Sequence, residues 1–180
     1  NIWYMKELRH LIVRGDRIDL RLTKDILESC SFLYNLHTIA TPKLYLGQSM
    51  EKILKKFPNI RKLKCCLLES KESIEDCNKI VAMDFLRQLE ALKFVLSGLS
   101  RRGIEFYFPL NIKMLTLEDY SWSIISTIGK LPNLEVLKLH GDRNEIETWE
   151  MGEGEFPKLK VLKLACLGIL RWIGSDEHLP

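Results

Sequence analysis

The sequence predicts an α/β solenoid with a curved parallel sheet on its concave face and short helices and loops on its convex face. One observation is a near repetition, because "LPNLEVLKL" (131–139) returns as "FPKLKVLKL" (156–164). The other is a Leu-x-x-Leu-x-Leu pattern, with any apolar or small residue allowed, that recurs in seven frames. The frames are Leu8/Leu11/Val13, Leu36/Ile39/Thr41, Ile60/Leu63/Cys65, Leu89/Leu92/Phe94, Ile112/Leu115/Leu117, Leu134/Leu137/Leu139 and Leu159/Leu162/Leu164. They start 22 to 29 residues apart, within or at the edge of the leucine-rich-repeat range.

Each frame predicts one strand, because its last two apolar positions alternate with an outward residue. A single repeat cannot bury its apolar face, whereas stacked repeats share one continuous core. Residues 1–180 are therefore predicted to form one domain of about seven leucine-rich repeats. The strands are expected near residues 8–13, 36–41, 60–65, 89–94, 112–117, 134–139 and 159–164.

The segments between frames carry the apolar spacing of short helices, which are expected on the convex side. The expected helix N-caps are Thr23, Ser49 and either Ser121 or Ser123. A proline ends the helix or loop before three of the strands, at Pro58, Pro132 and Pro157. The third repeat is lengthened by residues 68–79, whose polar content predicts an exposed excursion.

Composition excludes several classes of protein. A hydrophobic content of 46% is enough for a packed core, and no run approaches the roughly eighteen apolar residues of a membrane span. Five cysteines form an odd set without metal-ligand spacing, and no Asn-x-Ser/Thr site occurs. We therefore expect a reducing, cytoplasmic environment. The net charge of +3 is too small to indicate nucleic acid or an anionic membrane.

No catalytic, cofactor-binding or metal-binding residue is predicted, and the segment is not expected to be an enzyme. Its four histidines lie in different repeats, and the sequence contains no GxxxxGK[ST] phosphate loop. Cys65 is predicted to be a buried packing residue, whereas Cys66 is predicted to be the exposed thiol. Trp149 and Trp172 recur with the repeat, which favours packing between repeats over ligand binding.

The strongest functional pattern is a row of residues at the outward position between the last two core residues of each frame. That row is Ile12, Ala40, Lys64, Lys93, Thr116, Lys138 and Lys163. Four of the seven are lysine, so stacking predicts a basic stripe on the concave face, to which Arg61, Lys62 and Lys160 would add. The stripe is either a docking surface for an acidic partner or a solvated face. It has no interleaved exposed aromatic residues, which argues against nucleic acid.

The chain resembles the leucine-rich-repeat region of plant intracellular immune receptors of the coiled-coil, nucleotide-binding class, particularly proteins of the late-blight-resistance type. The resemblance is carried by "MKELRHL" (5–11), "ILKKFPNIRKLKC" (53–65), "IGKLPNLEVLKL" (128–139), "WEMGEGEFPKLKVLKL" (149–164) and "LRWIGSDEHLP" (170–180). It implies a regulatory domain that couples pathogen-effector recognition to a nucleotide switch and a hypersensitive response. It also implies a segment truncated at both ends, whose expected partners are the receptor's own nucleotide-binding domain, where ADP or ATP would bind, and an effector or host protein.

Two alternatives stay open at this point. The repeats could select substrates for an F-box-type ubiquitin ligase, although such repeats usually show a regular cysteine after the strand. They could also belong to an enzyme regulator or a hydrolase. Extracellular receptor kinases are disfavoured, because their repeats usually place Asn three residues after the last strand leucine and no frame has it.

Overall fold

In a computed structural model the chain is a solenoid of parallel strands, which confirms the predicted fold class. The structure describes residues 2–13, 18–19, 31–46, 48–68, 79–96, 104–141, 148–168 and 171–173. The strands in these ranges are β1 (His10–Ile12), β2 (Ile18–Asp19), β3 (Thr38–Tyr45), β4 (Lys62–Leu68), β5 (Lys79–Ala82), β6 (Ala91–Leu96), β7 (Ile104–Tyr107), β8 (Met114–Glu118), β9 (Val136–His140), β10 (Thr148–Glu150), β11 (Val161–Ala165) and β12 (Arg171–Ile173).

The main sheet follows the spatial order β1-β3-β4-β6-β8-β9-β11, and β2 adds to it beside β3. All of the described pairings in this sheet are parallel. The register places Leu92 beside Leu115 and Leu115 beside Leu137, so identical frame positions stack from one repeat to the next. These three side chains are at most 2% exposed. Stacking therefore joins the repeats into one apolar core.

Most of these strands begin two residues after the first apolar position of their frame. That first residue lies in a turn, where the amide of Leu89 donates to the carbonyl of Leu86 at 2.9 Å. The turn directs the apolar side chain inward, and Ile60, Leu89 and Ile112 are fully buried. β3 is longer than its frame and shifts its register on β4 between Ala40 and Lys43.

Within the described residues, the convex side is α-helical in two places. Helix α1 spans Gln48–Lys55 and includes Ser49, so the prediction of Ser49 as its N-cap was wrong. A 3₁₀ helix at Trp122–Ile124 continues into helix α2, Ile125–Gly129. Ser121 stands at the N-cap of the 3₁₀ helix, but its side chain makes no capping hydrogen bond. The helix predicted after Thr23 lies outside the described residues, as do residues 69–78 of the predicted excursion.

Two parallel strand pairs, β5 with β7 and β10 with β12, stand where helices or loops were expected. Their segments, "KIVA" and "IEFY" in the first pair, are rich in β-branched and aromatic residues, which favour extended backbone. Val81 pairs with Phe106, and the Phe106 ring stacks on Phe108 with 5.7 Å between centroids. The convex surface therefore contributes aromatic side chains to the core.

Asparagine side chains link the turns that precede the strands. Asn35, Asn59, Asn111 and Asn133 occupy the residue before the first apolar position of their frames, and each donates to a carbonyl of the preceding turn. Asn133 Nδ2 donates to the carbonyl of Leu110 at 3.0 Å. In the next turn Lys158 replaces asparagine, and its Nζ donates to Asn133 Oδ1 at 2.8 Å. This ladder lies before the strands, not after them as in the extracellular repeats.

Candidate protein-binding face

The seven residues of the predicted row lie side by side on the main sheet. The strand register pairs Lys64 with Lys93, Thr116 with Lys138 and Lys138 with Lys163. Ile12 and Ala40 continue the row at its N-terminal end. The side chains point away from the core, towards the face that is concave in such solenoids. We call this surface the outer face of the main sheet.

Lys93 is not an uncompensated charge on this face. Its Nζ forms an ion pair with Glu118 Oε1, which lies one repeat further along the chain. Both side chains are about a third exposed, at 31% and 30%. The acceptor belongs to β8, next to the strand that carries the lysine. One of the four predicted row lysines is therefore neutralised within the solenoid.

Arg61 and Lys160, which were expected to add to the lysine stripe, lie in a row next to it. They occupy the residue just before the strand, where the series across five repeats alternates in charge. The series is Arg61, Glu90, Lys113, Glu135 and Lys160. Lys160 Nζ donates to Glu135 Oε2 at 2.8 Å, and Lys113 Nζ lies 3.5 Å from Glu90 Oε1. The hydrogen bond from Lys160 is the main reason why the pKa of Glu135 is lowered. Two lysine–glutamate pairs within this row therefore compensate each other's charge.

Three lysines of the outer face remain without an ion pair among the described residues, namely Lys64, Lys138 and Lys163. Lys138 and Lys163 are adjacent in register, so their positive charges lie on neighbouring strands, which are about 4.8 Å apart. Like charges that project from neighbouring strands repel one another, and an acidic partner would relieve that repulsion. Lys62 is exposed at the start of β4 and pairs in register with Ala91, not with the lysine row.

An apolar row lies beside the lysine row and was not predicted. It consists of the first strand residue in each of four repeats, Ala91, Met114, Val136 and Val161. Met114 is 40% exposed and Val161 is 47% exposed. The sequence carried the signal, because each of these residues stands two positions before the lysine-row residue of the same strand. The outer face is therefore amphipathic, not simply basic.

The two adjacent cysteines differ from the prediction in one respect. Cys65 is buried as expected, and burial, with a smaller contribution from Cys66, raises the pKa of its thiol. Cys66 was predicted to be exposed, but it is only 1% exposed. It belongs to β4 and lies between Lys43 of β3 and Val95 of β6 in the middle of the sheet. Cys166, which follows β11, is the exposed cysteine of the described residues.

Trp149 packs in the interior, as its recurrence indicated. It is 1% exposed and contacts Trp122 edge to face at 5.1 Å between ring centroids. Phe156 makes a second edge contact at 6.1 Å. The register of β10 on β12 aligns Trp149 with Trp172. The repeated tryptophan therefore lies at the junction between neighbouring turns.

The described residues show no metal site and no membrane-spanning helix. In those ranges, no group of three or more His, Cys, Asp and Glu side chains is placed to hold a metal ion. The helices of the same ranges are all too short or too polar to cross a bilayer. The outer face of the main sheet is thus the surface on which the candidate residues converge.

Comparison with known proteins agrees with the sequence resemblance, although no family model matches the chain. The putative late blight resistance protein homolog R1B-13 of Solanum demissum is 34% identical over 99% of this chain and 16% of its own length. The homolog R1B-16 of the same species is 35% identical over 99% of this chain and 14% of its own length, and the late blight resistance protein R1-A is 33% identical over 99% and 14%. The chain therefore spans about one seventh of the length of these relatives. Over almost its whole length the chain is therefore homologous to a segment of late blight resistance proteins.

Proposed function

We propose that this chain is the protein-interaction and regulatory part of a plant disease-resistance receptor. In this role it holds a nucleotide switch in its resting state and couples recognition of a pathogen effector to release of that switch. ADP or ATP would bind in another part of the receptor, and the chain itself would catalyse no reaction. The disease-resistance role of the relatives supports the general assignment.

One observation carries the proposal. Lys64, Lys138 and Lys163 are uncompensated among the described residues, whereas other charges of the sheet, such as Glu135 and Glu118, are paired within the solenoid. Unpaired cations in a register row suit an acidic surface of another domain or protein.

The expected strength of such contacts is compatible with a switch. Each partly exposed ion pair contributes about 0.2 to 1 kcal/mol. Three such ion pairs acting together could therefore shift the equilibrium of a nucleotide switch whose two states differ by a few kcal/mol. An effector that competes for the same face would then release the restraint.

Charge reversal in the receptor that carries this chain tests the proposal. The variant K64E/K138E/K163E should trigger leaf cell death without an effector, measured as ion leakage after transient expression. The matched control is K6E/K52E/K130E, which changes the net charge equally at exposed lysines off the row and should stay silent. A row variant that accumulates normally, stays silent alone and still responds to effector would overturn the proposal. Turnover of a substrate by the purified chain would overturn its non-catalytic part.

A further inference from the structure

We propose that the C-terminal part of the outer face docks an acidic amphipathic helix that lies along the solenoid axis, across the strands. The docking surface, here called the C-terminal patch, consists of Met114, Val136, Val161, Lys138 and Lys163. This inference rests on the proposed interaction role and names the chemistry of the partner.

The patch is built from one element that occurs twice. β9 presents Val136 and then Lys138 on the outer face, and β11 presents Val161 and then Lys163. The two valines are paired in register, and so are the two lysines. Met114 extends the apolar row onto β8, where it pairs with Val136. The result is an apolar row and a cationic row that run parallel to each other, roughly 6.6 to 6.8 Å apart.

The spacing of the rows matches a helix better than an extended chain. Neighbouring strands are about 4.8 Å apart, so the three strands of the patch cover about 9.6 Å. Two turns of an α-helix advance about 10.8 Å, so side chains one turn apart stay in step with the strands. Same-face residues of an extended partner are about 6.6 to 6.8 Å apart and would advance about 13 Å over two intervals. Only a helix therefore places one side chain over each of the three strands.

The chemistry of the two rows selects the faces of that helix. Lys138 and Lys163 have no ion pair among the described residues, so carboxylates one turn apart on the partner would meet both ammonium groups. Val161 is 47% exposed and Met114 is 40% exposed, so an adjacent apolar stripe on the partner would cover them. Two acidic side chains that flank the patch along the chain are already paired, Glu118 with Lys93 and Glu135 with Lys160.

A designed peptide probes the patch directly. The probe is a fluorescein-labelled peptide of ~18 residues, about five turns, with a leucine stripe beside a glutamate stripe at i, i+4 spacing. We expect its fluorescence anisotropy to rise on titration with the purified chain. A peptide of the same composition with a central proline, and a peptide with lysine in place of glutamate, should bind at least about tenfold more weakly.

Paired variants locate the binding. V136S/V161S and K138E/K163E should each weaken binding of the acidic peptide by about tenfold or more, because each removes one row without touching the core. The control K6E/K52E changes the net charge by the same amount at two exposed lysines off the patch, and the control I80S alters an exposed apolar residue of β5. Both should bind normally.

Other outcomes overturn the inference. If the proline peptide binds as tightly as the peptide without proline, the partner is extended and not helical. If V136S/V161S and K138E/K163E both bind the acidic peptide as the wild type does, the site lies elsewhere. A dimer of the chain that V136S/V161S dissolves in light scattering would show that a second copy occupies the patch. If the row variant stays silent in the leaf assay but the purified chain still binds the acidic peptide, the proposed receptor role is wrong and the docking inference stands.

Discussion

The side chain of Glu155 occupies the space beside Gly129 that a β-carbon would fill. A β-carbon built on Gly129 would lie 2.7 Å from Cδ of Glu155 and 2.9 Å from its Cγ. The carboxylate is held there by the amide of Gly152, which donates to Oε2 at 3.0 Å. The neighbouring amide of Phe156 donates to the carbonyl of Gly129 at 2.7 Å. The glycine thus permits a close contact between α2 and the turn before β11.

This contact predicts coupling between the two positions. G129A should gain about 0.5 to 1 kcal/mol from helix propensity, but in the wild type it displaces Glu155 and breaks the hydrogen bond from Gly152. In an E155A background the displacement is absent. Urea unfolding of the four proteins should therefore give a coupling free energy of about 1 kcal/mol. In an E153A background, used as the control, G129A should change the unfolding free energy as it does in the wild type. If G129A changes the unfolding free energy equally with and without Glu155, the proposed contact is contradicted.

A second prediction concerns the core register. Leu137 is fully buried and lies in register between Leu115 and Leu162. L137D would bury an unpaired charge between repeats, at a cost of several kcal/mol. We expect loss of the cooperative thermal transition followed by circular dichroism. K138D introduces the same side chain one residue later on the outer face and should melt cooperatively. A normal melt for L137D would mean that the register is wrong.

The core register could be predicted from the sequence because it depends on local alternation. Leu137 and Leu139 alternate with Lys138, and the same order at 162–164 fixes which residues face inward. The lysine row follows from that alternation together with the repeat. A short apolar segment, in contrast, does not reveal whether it is helix or strand, so β5 and β7 were missed.

The pairing of charges and the burial of Cys66 could not be read from the frames. Glu118 lies 25 residues after Lys93, and their contact depends on which strand is the neighbour and on how far each side chain extends. Arg61 and Lys160 looked like additions to the stripe because the turn residues had not been separated from the strand residues. Cys66 lies one residue beyond the predicted strand at 60–65, whereas β4 continues to Leu68, so its burial was not predicted.

Burial of Cys65 predicts a loss of stability at alkaline pH. The pKa of its thiol is raised by burial, so the unfolded state loses this proton first, and stability falls as pH rises above about 8.5. The slope should approach about 1.4 kcal/mol per pH unit. Tyr120, whose pKa is also raised by burial, contributes only above about pH 10.

Urea unfolding at about pH 7.5 and about pH 9.5 isolates the thiol. The loss of unfolding free energy between these two pH values should be smaller in C65A than in the wild type by about 1 kcal/mol, whatever C65A costs at the lower pH. C166A removes an exposed thiol and should keep the wild-type pH dependence. If C65A loses as much stability as the wild type, the Cys65 thiol does not carry the effect.

The asparagine ladder predicts a stability effect in residues that are exposed to solvent. Asn133 donates to the carbonyl of Leu110 and accepts from Lys158, so N133A removes two hydrogen bonds between turns and should lower the unfolding free energy by about 0.5 to 1.5 kcal/mol for each. N133D keeps the acceptor for Lys158 but loses the amide donor, so its unfolding free energy should lie between those of N133A and the wild type.

Gln88 occupies the equivalent position of another repeat and provides the control. Q88A should therefore change the urea midpoint little, because no side-chain bond of Gln88 to the described residues would be lost. Equal midpoints for N133A and Q88A would show that the ladder adds nothing to the stability of the solenoid.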